Sequence, residues 1–120
     1  MPRILVVDDE AVQRLLLRRI FERAGHDVTE AIDGTAALAA GRESPPDLVV
    51  TDITMPVMDG LELIRRLRDD PATAHIPILA VSGDTHGAGA ADAVVPAPYD
   101  RHQLLAVVDA LLEKGRGMRQ

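Results

Sequence analysis

Short apolar runs and helical periodicities alternate along the chain. Ile4 to Val7 is unbroken apolar sequence, so the strand Arg3 to Val7 is expected to be buried on both faces. Asp8, Asp9 and Glu10 follow it directly. Val12, Leu15, Leu16 and Ile20 then recur at helical spacing as far as Ala24, and Gly25 marks the stop. Asp27 to Ala31 reads as a second strand, and Asp33 stands where it caps a helix from Gly34 to Glu43 that Pro45-Pro46 ends. The third strand, Asp47 to Asp52, is an apolar run that stops on a carboxylate. Met55-Pro56 and Asp59-Gly60 form the loop that leaves it. Asp59 and Glu62 have capping-box spacing for a helix from Leu61 to Leu67, closed by Asp70-Pro71. Ile76 to Val81 is the fourth strand, ending at Ser82-Gly83.

The alternation weakens after Ser82. The crossover to the next apolar pair is the 11 residues Gly83 to Ala93, three of them Gly. A helix of about 11–12 residues with two loops of about 2–6 residues does not fit there, so the crossover helix is expected to be shortened or absent. His86 within it reads as a solvated loop residue. Val94-Val95 is a very short fifth strand, followed by Pro96-Ala97-Pro98-Tyr99. Asp100 and Gln103 make a second capping box for a final helix through Leu104, Val108, Leu111 and Leu112 to Lys114. The apolar stripe of that helix, which also takes in Leu105 and Val107, is wider than a surface helix needs. Most of it is core, and its remainder is a candidate homodimer face. Residues 115–120 read as a flexible tail. The expectation is one domain over residues 1–120, with no internal repeat, linker or output domain. Strands alternating with helices give a parallel sheet with right-handed crossovers and helices on both faces.

Composition narrows the partners. The chain has 120 residues, 13 Lys plus Arg against 19 Asp plus Glu and a formal charge of −6, which argues against nucleic-acid binding through a basic face. Aromatics are 2% of the chain, so no stacking platform for bases exists. With no cysteine, disulfides and thiolate metal sites are excluded. The N-terminal apolar run is far too short for a signal-peptide core or membrane span, so a cytoplasmic protein is expected.

The chemistry gathers where strands end. Asp8 and Asp9 follow the first strand, Asp52 ends the third and Ser82 follows the fourth, so all four meet at the edge where open α/β sheets bind ligands. Adjacent carboxylates after a strand also occur as plain helix N-caps, and a lone serine at a strand end is commonly a turn residue. Three converging carboxylates repel, however, and a divalent cation among them relieves this. Oxygen ligands with no His or Cys beside them favour Mg²⁺. Such a pocket suits phosphoryl transfer to a carboxylate, with a hydroxyl beside it for a phosphoryl oxygen.

These residues resemble the receiver domain of two-component response regulators. The resemblance rests on Asp8-Asp9, on the string from Asp52 through Met55-Pro56 to Met58-Asp59-Gly60, and on Ser82-Gly83, and it covers essentially the whole chain. It implies a flavodoxin-like, doubly wound five-stranded parallel sheet of order 2-1-3-4-5. It also implies that Asp52 accepts a phosphoryl group from a sensor histidine kinase or a histidine phosphotransfer protein. Asp9 and Asp52 become direct Mg²⁺ ligands, Thr54 a ligand through its carbonyl, and Asp8 a ligand acting mainly through water. Ser82 matches the hydroxyl that turns toward the phosphate, and Asp84 a position that influences how water reaches it. The protein would then be a Mg²⁺-dependent phosphoacceptor with slow autodephosphorylation rather than an enzyme, acting on a downstream protein that the sequence does not name.

Two departures stand out. The family's Lys-Pro-aromatic triplet appears as Ala97-Pro98-Tyr99, and its switch aromatic corresponds to Val94. The only lysine, Lys114, lies about 20 Å along the last helix and does not substitute. Arg101 and His102 read as solvated residues of a first helical turn. Two functions follow: a stand-alone receiver working as relay, sink or binding switch, or a pseudo-receiver that binds partners without being phosphorylated. The first is favoured because Asp8, Asp9, Asp52 and Ser82 are all present. An aspartyl phosphatase of another fold would place its nucleophile on the first strand and a second acid two positions on, where this chain has Thr54 after Asp52.

Overall fold

The computed structural model describes residues 1–55, 58–84 and 88–117, with side chains described through Lys114. Five strands, β1 (Arg3–Val7), β2 (Asp27–Ala31), β3 (Leu48–Thr51), β4 (Ile78–Ser82) and β5 (Ala93–Pro96), form one sheet of order β2-β1-β3-β4-β5. All neighbours are parallel, with Val7 opposite both Ala31 and Thr51, Thr51 opposite Ala80, and Ser82 opposite Pro96. The register brings the C-terminal ends of β1 and β3 side by side at the point where the order reverses, the place such sheets offer to ligands.

Among the described residues, four α-helices cover the sheet: α1 (Ala11–Arg23), α2 (Gly34–Glu43), α3 (Gly60–Asp69) and α4 (Arg101–Gly117). Strand alternation sorts the core into two layers. Ile4, Val6, Val50, Leu79, Val81 and Val95 face Leu17, Ile20 and Phe21 of α1 and Leu104, Val108, Leu111 and Leu112 of α4. Leu5, Val7, Val49, Ile78 and Ala80 face Ala37 of α2 and Leu63, Ile64 and Leu67 of α3. The apolar sides of β1, β3 and β4 are thus buried in both directions, as their unbroken runs require. Gly25 closes α1 in the left-handed region at φ 94 and donates to the Glu22 carbonyl.

Several boundaries differ from the sequence expectation. The fourth strand begins at Ile78, because Ile76 N–H closes a turn on the Thr73 carbonyl and Pro77 has no N–H to give. The third strand is regular only over Leu48–Thr51, although Asp47 N–H still donates to Arg3 and Asp52 N–H to Val7. Asp59 caps α3 through Glu62 N–H at 2.9 Å, but the Glu62 carboxylate is taken by Arg65 and Arg66. That pairing holds its carboxyl down at about 2. The last helix runs on to Gly117, three residues into the expected tail; residues 118–120 lie outside the described set. Glycine there weakens a helix without forbidding it. On that helix Leu105 and Val107 are partly buried and pack against the core.

The described part of the β4–β5 crossover holds one 3-10 turn, Ala88–Ala90. Ala88 is buried in the α2/α3 layer. Asp92 then pins the end of the crossover, accepting from Ile78 N–H at 2.7 Å and from Arg68 at 2.6 Å. Thr85 to Gly87 lie outside the described residues, and the reading of His86 as a solvated loop residue falls there. Among the described residues, no helix is long and apolar enough to cross a membrane.

Candidate functional site

The pairing of β1 continues one residue past its last regular position, with Asp8 N–H donating to the Ala31 carbonyl at 3.2 Å. This carries Asp8 into a buried position, 6% exposed. Its Oδ1 accepts Glu10 N–H at 2.9 Å, which turns the chain into α1. Its carbonyl accepts Arg14 Nη1 at 2.8 Å, while Arg14 Nε is held by Glu30 of β2 at 3.0 Å. Glu30 also takes Arg18 at 2.6 Å. The acidic turn is therefore tied to both α1 and β2.

Asp52 is placed by the same device on the neighbouring strand. Its N–H donates to the Val7 carbonyl at 3.1 Å, and its Oδ1 accepts Ile53 N–H at 2.7 Å and Thr54 N–H at 3.3 Å. Gly60, at the start of α3, returns to this strand end, its N–H donating to the Ile53 carbonyl at 2.8 Å. A Cβ on Gly60 would stand 2.2 Å from the Asp52 carbonyl oxygen and 2.7 Å from Ile53 Cα, so only glycine admits this approach.

Asp8, Asp9 and Asp52 converge, each offering a carboxylate oxygen, with those oxygens all within 4.8 Å of one another. Burial is the main cause that pushes the Asp8 carboxyl up to about 6; the Glu10 N–H opposes it, and the charges of Asp52, Asp9 and Glu10 add to the rise. A carboxyl so disfavoured as an anion, beside two further carboxylates, fits a hard divalent cation by charge and ligand type. The plain capping explanation is not met by geometry: the N-cap of α1 is Glu10, and it makes no side-chain cap bond.

Residues 4–109 match the family model described as "Response regulator receiver domain". The chain belongs to this family. The receiver is 36% identical to the DNA-binding dual master transcriptional regulator RpaA of Synechocystis, over 95% of this chain and 50% of that protein. It is 33% identical to protein PilH of Pseudomonas aeruginosa, over 93% of this chain and 98% of PilH. It thus spans half of RpaA, and 18% of the response regulator PleD of Caulobacter vibrioides. Among solved structures it resembles chemotaxis protein CheY4 of Vibrio cholerae, with TM-score 0.85 and 27% identity over 92% of this chain and 98% of that one.

Ser82, the last residue of the receiver's β4, is 4% exposed; its hydroxyl accepts Asp84 N–H at 3.3 Å and its carbonyl accepts Ala97 N–H at 2.9 Å. Ser82 and Ala97 are thus joined at the edge where the carboxylates lie, and the Ala97–Pro98 peptide is cis. Thr54 is exposed and bonds Asp52 through its backbone. Val94 is 37% exposed. Lys114 lines a cavity of about 70 Å³ with Arg68, Pro77 and Asp92, at the opposite sheet edge. Arg101 and His102 are exposed on the first turn of α4 and line a groove with Arg19 and Arg23. None of these three residues belongs to the carboxylate cluster.

Sequence reasoning missed Arg14 and Glu30. The only available signal was an arginine in the first turn of α1 and an acid in the short strand that follows.

Proposed function

We propose that Asp52 accepts a phosphoryl group from the phosphohistidine of a sensor kinase or a histidine phosphotransfer protein in the cytoplasm. The receiver would then act as a relay, sink or binding switch toward a downstream protein. One observation carries this reading: the carboxylates of Asp8, Asp9 and Asp52 share a single pocket at the β1/β3 switch point.

In this reading an Asp52 carboxylate oxygen attacks phosphorus as the bond to the donor imidazole breaks, giving an aspartyl phosphate and free histidine. The Ile53 and Thr54 N–H groups fix the orientation of the carboxylate. Asp9, Asp52 and the Thr54 carbonyl would hold Mg²⁺ directly and Asp8 through water, the ion supplying neutralisation of the charge on the transferring group. Ser82 would offer its hydroxyl to a phosphoryl oxygen once phosphate is present. Ala97 leaves the pocket without a side-chain cation on that flank, so slow transfer is expected rather than none.

The test is incubation with acetyl phosphate or a phosphohistidine donor, with and without Mg²⁺, followed by intact-mass measurement. A mass gain of one phosphoryl group that requires Mg²⁺ and is lost in D52N is the expected result. A chain that stays unmodified under every donor is a pseudo-receiver.

A further inference from the structure

Tyr99 lies in the turn between β5 and α4, its ring packed against the α1/α4 layer of the core. Its hydroxyl oxygen is buried and has no hydrogen-bond partner among the described residues. Buried tyrosine hydroxyls are normally bonded, and an orphaned one destabilises the fold. A phenylalanine would fill the same space without that cost, so the oxygen calls for an explanation of its own.

Strand alternation supplies the neighbour. Ile4 and Val6 point into the layer where Tyr99 packs, Leu5 and Val7 into the other. Pairing continues to Asp8, so the next alternation turns Asp8 toward the Tyr99 layer. Val50 and Asp52 follow the same rule on β3. After burial, the charge of Asp8 is what raises the Tyr99 phenol, so the hydroxyl lies within the field of that carboxylate. A buried donor without a partner among the described residues therefore lies on the sheet face toward which Asp8 turns.

We infer that the Tyr99 hydroxyl hydrogen-bonds, through a water, to the acidic pocket at Asp8, which makes it a positioning residue for a hydrated divalent cation. The inference rests on the proposed reading of that pocket as a Mg²⁺ site. Mg²⁺ gives up its waters reluctantly and is commonly held partly through them. Groups that orient a metal's surroundings from outside its ligand set are worth about 10–100-fold in affinity.

The chain has one tyrosine and no tryptophan, so its intrinsic emission reports Tyr99 alone. Titration of the wild-type protein with Mg²⁺ at constant ionic strength should change that emission saturably, with the same midpoint as calorimetric binding. Y99F, which removes one oxygen, should bind Mg²⁺ about 10-fold more weakly while keeping the wild-type thermal midpoint in EDTA. Emission that stays flat through Mg²⁺ saturation overturns the inference, as does equal affinity in Y99F. If either occurs while the wild type still binds Mg²⁺ and takes a phosphoryl group on Asp52, the Tyr99 inference fails alone. A wild type that binds no Mg²⁺ overturns both readings.

Discussion

Replacing Asp8 with Asn tests whether the pocket is built for a cation. Asn keeps the Oδ1 acceptor for Glu10 N–H and removes the charge. The carboxyl of Asp8 is raised from 3.8 to about 6, so the folded state holds its proton more tightly than the unfolded chain does. The penalty is absent below pH 3.8, grows as pH rises toward 6, and is complete above that. At 1.36 kcal/mol per pH unit the ceiling is about 3 kcal/mol, and solvent screening in a pocket that opens to water cuts this to about 1–2 kcal/mol. Urea unfolding in EDTA should therefore show D8N more stable than wild type by about 1–2 kcal/mol near neutral pH, with the gap closing near pH 4. Mg²⁺ at ten times the wild-type Kd adds about 1.4 kcal/mol to the wild type and less to D8N, which keeps Asp9, Asp52 and Thr54 but binds more weakly, so the gap narrows. A gap that does not vary with pH, or a D8N variant less stable at both pH values, refutes the reasoning.

Three further outcomes are expected. G60A forces a methyl against the Asp52 carbonyl and the Ile53 Cα, backbone on both sides, and should lose about 1–3 kcal/mol in thermal unfolding with weaker Mg²⁺ binding; an unchanged melting temperature would show that the loop does not need this approach. R14A frees the Asp8 carbonyl and leaves Glu30 to Arg18 alone, and should cost about 1–2 kcal/mol in urea unfolding, with Arg14→Lys recovering part of it; equal stability of R14A and wild type would remove Arg14 as an anchor. A97K places an ammonium on the strand end joined to Ser82 and should speed acetyl-phosphate labelling of Asp52 by about 10-fold or more; an unchanged rate means that position 97 does not face the phosphoryl group.

The fold was legible wherever one local rule decided an element. Unbroken apolar runs located β1, β3 and β4 because a parallel sheet buries both faces, and Asp33 and Asp59 marked helix starts because each can reach an N–H of the first turn. The carboxylates were legible for a related reason: strand ends of a parallel sheet share one edge, so Asp8, Asp9 and Asp52 had to approach one another. What escaped notice depends on pairs distant in sequence. Arg68 and Asp92 stand 24 residues apart, yet together they fix the end of the crossover. Arg14 and Glu30 lie 16 residues apart and secure the acidic turn. Each looks like a solvated charge until the register of β2 or the end of α3 is known. The start of β4 was misplaced because Ile76 satisfies the apolar pattern while its N–H belongs to the turn that precedes Pro77.

The charge around Asp52 carries the last step. Arg14, the cation nearest the acidic turn by its bonds, has already given its charge to Glu30, while Asp8, Asp9 and Asp52 share one pocket. Lys114, Arg101 and His102 lie elsewhere on the molecule. Among the described residues no side-chain cation joins this cluster, so in the proposed reading its neutralisation would come from a divalent cation and from whatever approaches the Ala97 flank. In a receiver with a lysine there, the protein itself would meet the transferred phosphoryl group with charge. Here that flank carries a methyl group, so a docking partner that brings its own basic side chain would both speed transfer and hold the phosphorylated state. Rates measured with a protein donor should then exceed those with acetyl phosphate by more than the donors' intrinsic difference, and A97K should narrow that gap; a ratio unchanged by A97K would mean that the missing charge is of no consequence to transfer.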